Sequence, residues 1–503
     1  MNPIIILAAA TVISSRAPAA PTYAMAHHAV STSSSNAQAL FDRGLTLYYA
    51  YNGAEGVHVF QQAAAADPKL AIAYWGQALS YGPDINNRID EAHFSKAHEA
   101  IASATPLEGS ASPEERALID AMALRYAGDW GRHERDEADY RNAMNALAAR
   151  YPTDDDVAAL AGEADFEDSP SLWIKNSSLP EPSGYAPQIA RLLDGIVARN
   201  PQHVMGNHLL VHVFEPSTDR SRAVLGAARL DAMSFAPEGE HLAHMPAHTW
   251  VDVGDYAKAV ASTKRAVALF HTYLASVGTD VPHAGYLGHD LEVGFSAAAM
   301  MGDSENAQLF AQEIDQNRTR SGSSAFYRLV LDARMENWNA VISNSANTSI
   351  PGHLLRALAY AETGDPLNAD REVSRVPNDP SDRSQNRNML QMVRGAVSAL
   401  HGDGTKATVY FEEALAVEQQ SFRGEDLPML FTSEIAGRSF MRLHDYQRAY
   451  DWYAQAAKRY PNDPRAYLGI AQCLAKLGRS PEARAAYAAY KAHWVGPLAP
   501  ESP

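Results

Sequence analysis

From Ala37 onward, apolar residues recur every three or four positions almost to the end of the chain. That is the period of an amphipathic α-helix; the two-residue alternation of a half-buried strand is almost absent. The pattern predicts helices over 37–50 and 54–66, with Asp67-Pro68 closing the pair. Asp-Pro, Gly-Asp and Asn-Asp-Pro then punctuate the chain at fairly regular intervals, as stacked helix pairs require. Residues 27–36 (HHAVSTSSSN) are polar and read as a loose lead-in. The expected fold class is all-α.

Within the helices, small and aromatic residues repeat with a period of about 34, the length of a tetratricopeptide repeat. Near the C-terminus Gly437, Phe440, Ala449, Tyr453, Ala456 and Pro461 hold the places where that repeat wants small residues, aromatics and a closing proline. Tyr467, Ala471, Leu474, Ala483 and Tyr487 repeat the pattern, and Gly44, Phe60, Ala63 and Pro68 match it in the first unit. Small residues let paired helices approach, and aromatics fill the gaps between units. The architecture expected is a right-handed TPR-like helical-repeat solenoid. Three stretches interrupt it. Residues 165–184 (DFEDSPSLWIKNSSLPEPSG) carry no helical period and read as a loop, residues 279–285 as a second break, and residues 376–384 as a boundary. The expected organisation is a signal peptide over 1–26, N-terminal helix pairs over 36–150 and a central histidine-rich region over 151–320. Degenerate repeats follow over 321–383 and C-terminal repeats over 384–495.

The central region carries the candidate chemistry. The stretch GEHLAHMPAHTWVDVGD (239–255) spaces His241, His244 and His248 by three and four, which sets them on one helical face, with Pro246 as a possible kink. Upstream, His208 and His212 stand at i, i+4, with Glu215 three residues on; downstream, His289 and Glu292 stand at i, i+3. Aligned to the repeat, all of these fall on first helices of successive units, at positions that in tetratricopeptide repeats line the concave groove. Adjacent first helices pack at roughly 10 Å, a gap that His and Glu side chains can close around a metal. Neighbouring aromatics Tyr48, Tyr49, Tyr51, Tyr74, Trp75 and Tyr81 fit either a substrate pocket or inter-helix packing, the latter being the commoner use.

Composition narrows the options. The chain has 503 residues, too many for one ordinary core, and 46% hydrophobic content marks it as globular. A net charge of −17 argues against a nucleic-acid partner. The single cysteine, Cys473, excludes an intramolecular disulfide and thiolate clusters, so a metal site must be built from His, Asp and Glu. The apolar run IIILAAATVI (4–13) is too short to span a bilayer and precedes an A-x-A sequence at Ala24-Met25-Ala26. An exported, periplasmic or secreted protein without a membrane span is expected, although no basic residue precedes the run.

Four blocks carry a wider resemblance: FDRGLTLYYAYN (41–52), AYWGQALSYGPDIN (73–86), NPQHVMGNHLLVHVFE (200–215) and HLAHMPAHTWVDVGDY (241–256). Across roughly residues 27–310 the chain resembles a family of secreted bacterial tetratricopeptide-like proteins bearing H-x-x-x-H and H-x-x-H-M-P-x-H motifs. Relatives often have a histidine where this chain has Gly53, and another where it has Glu292. The resemblance implies the fold; it implies no reaction.

Three functions fit these residues. The first is a metal-dependent enzyme, with His208, His212, His241, His244, His248 and His289 as ligands to copper, zinc or iron and Glu215 or Glu292 as base. With zinc the reaction would be hydrolytic, with copper or iron oxidative. The second is a scaffold that binds a small molecule or peptide in the concave groove, or a protein partner through its C-terminal repeats. The third is a periplasmic metal carrier. The absence of an H-E-x-x-H helix lowers peptidase chemistry.

Overall fold

Phe60 shows how the units are built. Its ring fills the space over Gly44 and Gly76, where an added Cβ would lie 2.8 and 2.4 Å from it. Tyr453 sits in the same way between Gly437 and Gly469, at 2.6 and 2.4 Å. In both cases an aromatic on the second helix of a pair lies against glycines on the first helix of its own pair and of the next. The missing side chains let three backbones close on one ring. Side-chain caps start many of the helices: Asn52, Asp90, Ser112, Asp255, Asp365, Asp445 and Asp463 each accept a hydrogen bond from a backbone N–H of the first turn.

The computed structural model describes residues 23–168, 185–215, 220–278, 286–316, 324–379, 385–421 and 430–499. Among them there is no strand, and helix follows helix from Ser35–Tyr49 to Ser480–His493. Most pack chiefly on their neighbours in sequence, so the fold is a helical-repeat solenoid. The helix expected over 37–50 is Ser35–Tyr49, and that expected over 54–66 is Gly53–Ala66. The helix Asp155–Asp168 enters the stretch read as a loop, because Asp165 and Phe166 still pack as its last turn; residues 169–184 lie outside the described residues, as do 279–285 and 380–384. No described helix is long and apolar enough to cross a membrane. The apolar run at 4–13 is outside the described residues.

Both ends of the solenoid fold onto its centre. At one end Asn52 Nδ2 donates to the Glu238 carbonyl at 3.0 Å, and Arg43 pairs with Glu238 at 2.9 Å. At the other, the Tyr256 hydroxyl donates to the Pro461 carbonyl at 3.0 Å, and buried Arg334 pairs with Glu434 at 3.0 Å. Gly254, at φ +75°, lies so close to the Pro461 carbonyl that a Cβ would sit 2.0 Å from its oxygen.

The N-terminal segment 23–34 is anchored rather than loose. Ser31 N–H donates to Glu115 at 2.7 Å, and the Thr32 hydroxyl to Asp67 at 2.6 Å. His28 is buried, with Nδ1 3.1 Å from Asp156. Its polar sequence suits this role, because the partners are carboxylates on the first helix pairs.

Candidate metal centre

Three helical segments bring the six histidines together. Val204–Phe214 carries His208 and His212 one turn apart. The central stretch is two short helices, Glu240–His244 and Pro246–Asp252, with Pro246 opening the second, where its missing N–H is harmless. This break separates His241 and His244 from His248. Leu287–Met301 supplies His289.

The result is two triads. His208, His212 and His241 each offer a ring nitrogen, all within 4.8 Å of one another, and His244, His248 and His289 do the same. In the first triad the Nε2 atoms of His208 and His212 are 3.1 Å apart; in the second those of His248 and His289 are 3.4 Å apart. Two imidazole nitrogens bound tetrahedrally at metal–nitrogen distances of about 2.0–2.1 Å are separated by about 3.3 Å. The triads adjoin: ring centroids of His212 and His248 are 6.5 Å apart, and those of His241 and His244 are 6.4 Å apart.

An oxygen atom stands behind the outer nitrogens of His208, His244 and His248. His208 Nδ1 is 2.8 Å from the Tyr49 carbonyl, which only accepts, so Nδ1 carries the proton and Nε2 of the neutral ring presents its lone pair. His244 Nδ1 is 3.4 Å from Asp290 Oδ1, and His248 Nδ1 is 3.5 Å from Glu215 Oε2. A carbonyl or carboxylate behind the far ring nitrogen is the usual way a ligating histidine is oriented.

His208, His241, His244 and His248 are buried, while His212 and His289 are half-buried. Burial drives the imidazoles towards the neutral, ligand form: His208 is pushed down to about 3 and His289 to about 4, and His212, His241 and His244 lie well below the ordinary value. Both ring nitrogens of His241, both of His244 and both oxygens of Asp290 are buried without a hydrogen-bond partner. Such groups cost about 1–3 kcal/mol each when left unpaired, and a bound cation would satisfy one nitrogen of each ring. Burial first, and the nearby Glu240 carboxyl second, hold Asp290 well above the usual carboxylate range.

Aromatic rings wall the first triad. Tyr51 lies with its centroid 4.5 Å from His208, 5.9 Å from His212 and 5.4 Å from His241. Its backbone is in the left-handed region at φ 53°, which a tyrosine adopts only when its surroundings impose it. Tyr286 stacks on His241 at 4.3 Å, and its hydroxyl accepts from Asn87 Nδ2 at 2.8 Å.

Of the residues expected from the sequence, His208, His212, His241, His244, His248 and His289 meet in the two triads, and Glu215 lies beside His248. His208, His241, His244 and His248 are buried, and Tyr51 of the N-terminal units covers the first triad. Glu292 belongs to neither triad; it accepts from the Tyr327 hydroxyl. The carboxylate at the centre is its neighbour Asp290, which the i, i+3 spacing passes over. The sequence did group Tyr51 with possible pocket residues, but its contact with the histidines depends on a meeting some 160 residues along the chain.

The fold and site define a helical-repeat protein with a largely buried six-histidine cluster. The chain matches the Tetratricopeptide repeat family over residues 436–503. No curated protein matches it. Among solved structures it is similar to the human IFIT1 dimer with m7Gppp-AAAA, at 14% identity and TM-score 0.32, over 90% of this chain and 94% of that one. It is also similar to the P58(IPK) TPR domain, at 12% identity and TM-score 0.24, over 89% and 99% of the two chains. Likeness at this level carries no argument about function.

Proposed function

We propose that this protein is a metal-dependent enzyme holding two late first-row transition ions, one in each histidine triad. The observation that supports this reading is the convergence of six imidazoles in two triads, with both ring nitrogens of His241 and His244 lacking hydrogen-bond partners and a carbonyl or carboxyl oxygen behind the outer nitrogens of His208, His244 and His248. All six candidate ligands are nitrogen, which favours copper or zinc over iron, magnesium or calcium; copper heads the affinity order for such a set. Copper held there would supply one-electron redox chemistry towards a small molecule, and zinc would supply a bound water for hydrolysis. In the zinc form three protein ligands leave a position for water, and Glu215 beside His248 is the candidate base. The apolar run at 4–13 supports export to the periplasm, and the C-terminal repeats support a protein or peptide partner.

Elemental analysis of untagged protein, with metal counted per chain, tests the reading. Two ions per chain are expected, falling to one in His244→Ala or His212→Ala. A chain that takes up neither copper nor zinc defeats it.

A further inference from the structure

Behind the first triad lies a second layer that the ligands do not include. Asp156, in the first turn of Asp155–Asp168, is buried and receives hydrogen bonds from three parts of the chain. Its Oδ1 accepts from the Tyr49 hydroxyl at 2.6 Å and lies 3.1 Å from His203 Nε2; its Oδ2 is 3.1 Å from His28 Nδ1. Each contact leads somewhere specific. Tyr49 supplies the backbone carbonyl to which His208 Nδ1 donates. His203 is the N-cap of the helix that carries His208 and His212, its Nδ1 accepting from Gly206 N–H at 3.0 Å. That acceptor role leaves the His203 proton on Nε2, pointing at Asp156. His28 belongs to the anchored N-terminal segment.

One carboxylate thus holds the element behind His208, the start of the helix bearing two ligands, and the segment 23–34. Among the described residues, the hydrogen bonds of Asp156 go to Tyr49, His203 and His28, whereas Asp290 and Glu215 stand behind His244 and His248 of the second triad. We propose that Asp156 is a positioning residue for the first triad, through which docking of the N-terminal segment regulates that triad's hold on metal. The inference rests on the metal centre proposed above. Groups standing behind metal-binding histidines change affinity by about 10–100-fold when removed. The expected signature is a loss of that size at one ion and none at the other.

The experiment titrates the full chain with zinc ions alone, in two backgrounds that leave one triad each. In His244→Ala, which keeps the first triad, Asp156→Asn should weaken zinc binding about 10–100-fold. In His212→Ala, which keeps the second, it should change nothing. His28→Gln, which leaves the other Asp156 contacts in place, should weaken only the first triad as well, and it serves if Asp156→Asn fails to fold. Tyr49→Phe keeps the carbonyl behind His208 and should show a smaller loss at the same triad. Equal weakening in both backgrounds marks Asp156 as a general structural residue and overturns the proposal, as does no weakening in either. If the unmutated chain binds no zinc or copper, the metal centre itself has failed; if it binds two ions and the Asp156 variants match it, only the positioning role has.

Discussion

Replacing His244 with alanine separates a metal ligand from a core residue. The imidazole is completely buried, with no hydrogen-bond partner on either ring nitrogen. Without metal, two terms oppose each other. The cavity left by truncating a buried side chain of this size costs about 2–5 kcal/mol. Removing buried polar atoms that lack partners recovers about 1–3 kcal/mol each. For two ring nitrogens these terms largely cancel, so chelator-treated wild type and variant should differ by no more than about 4 kcal/mol in either direction. With metal the balance changes. A ligand at about 1,000 times its Kd stabilises the folded state by about 4 kcal/mol, and the variant lacks one of two such contributions. At about 2.1 cal/mol/K of unfolding entropy per residue, 1 kcal/mol over this 503-residue chain is roughly 1 °C. The melting gap between variant and wild type should thus be about 4 °C larger in zinc than in chelator. Scanning calorimetry of both proteins, in chelator and in excess zinc, reads this difference, and elemental analysis of the same samples counts the ions. A melting gap that is the same with and without zinc would show that His244 serves packing alone and refute the argument.

Three other predictions follow from separate parts of the structure. Gly469→Ala places a Cβ 2.4 Å from the Tyr453 ring, and overpacking of this kind should destabilise the protein by about 1–3 kcal/mol in denaturant titration. Burial pulls the His28 imidazole down, but the hydrogen bond and charge of Asp156, with Asp154 and Glu114 behind it, raise it to about 9. The stability from its charge is complete below the unfolded value of about 6.5 and is lost as pH rises through about 9. Protease cleavage within residues 23–34 should therefore accelerate above that pH, and should be fast and independent of pH in His28→Gln. Cys473 is buried and its thiol is pushed up to about 12, so thiol reagents should label it in denaturant and not in the native protein at neutral pH.

The parts of this molecule written in local spacing were legible in the sequence. Gly44 with Phe60, and Gly437 with Tyr453, encode the repeat because each pair lies within one unit and meets wherever the unit folds. His208 and His212 share a face because they are one helical turn apart. What was not legible depends on which unit meets which. Asp290 points at His244 across a helix interface, so its sequence neighbours give no sign of it. His28 looks like part of a frayed polar leader until Asp156, far along the chain, is seen opposite it. The proximity of the triads also depends on the Pro246 break, whose direction follows from packing rather than from the proline alone.

The meeting of the first units with the central helices changes how this solenoid should assemble. In an ordinary repeat array each unit touches only its neighbours, so folding can start anywhere and stop anywhere. Here the ring of Tyr51, the carbonyl of Tyr49 and the histidines from His208 to His289 form one cluster. That cluster is completed only when residue 289 has joined a structure begun near residue 49. Closing so long a span is slow compared with forming helix pairs. The repeats can therefore form early while the histidine centre stays open, and its closure joins units that would otherwise fold and unfold independently. A chain cut before residue 287 should keep its first helix pairs and lack His289 and Asp290, leaving the second triad incomplete while the first triad keeps all its ligands.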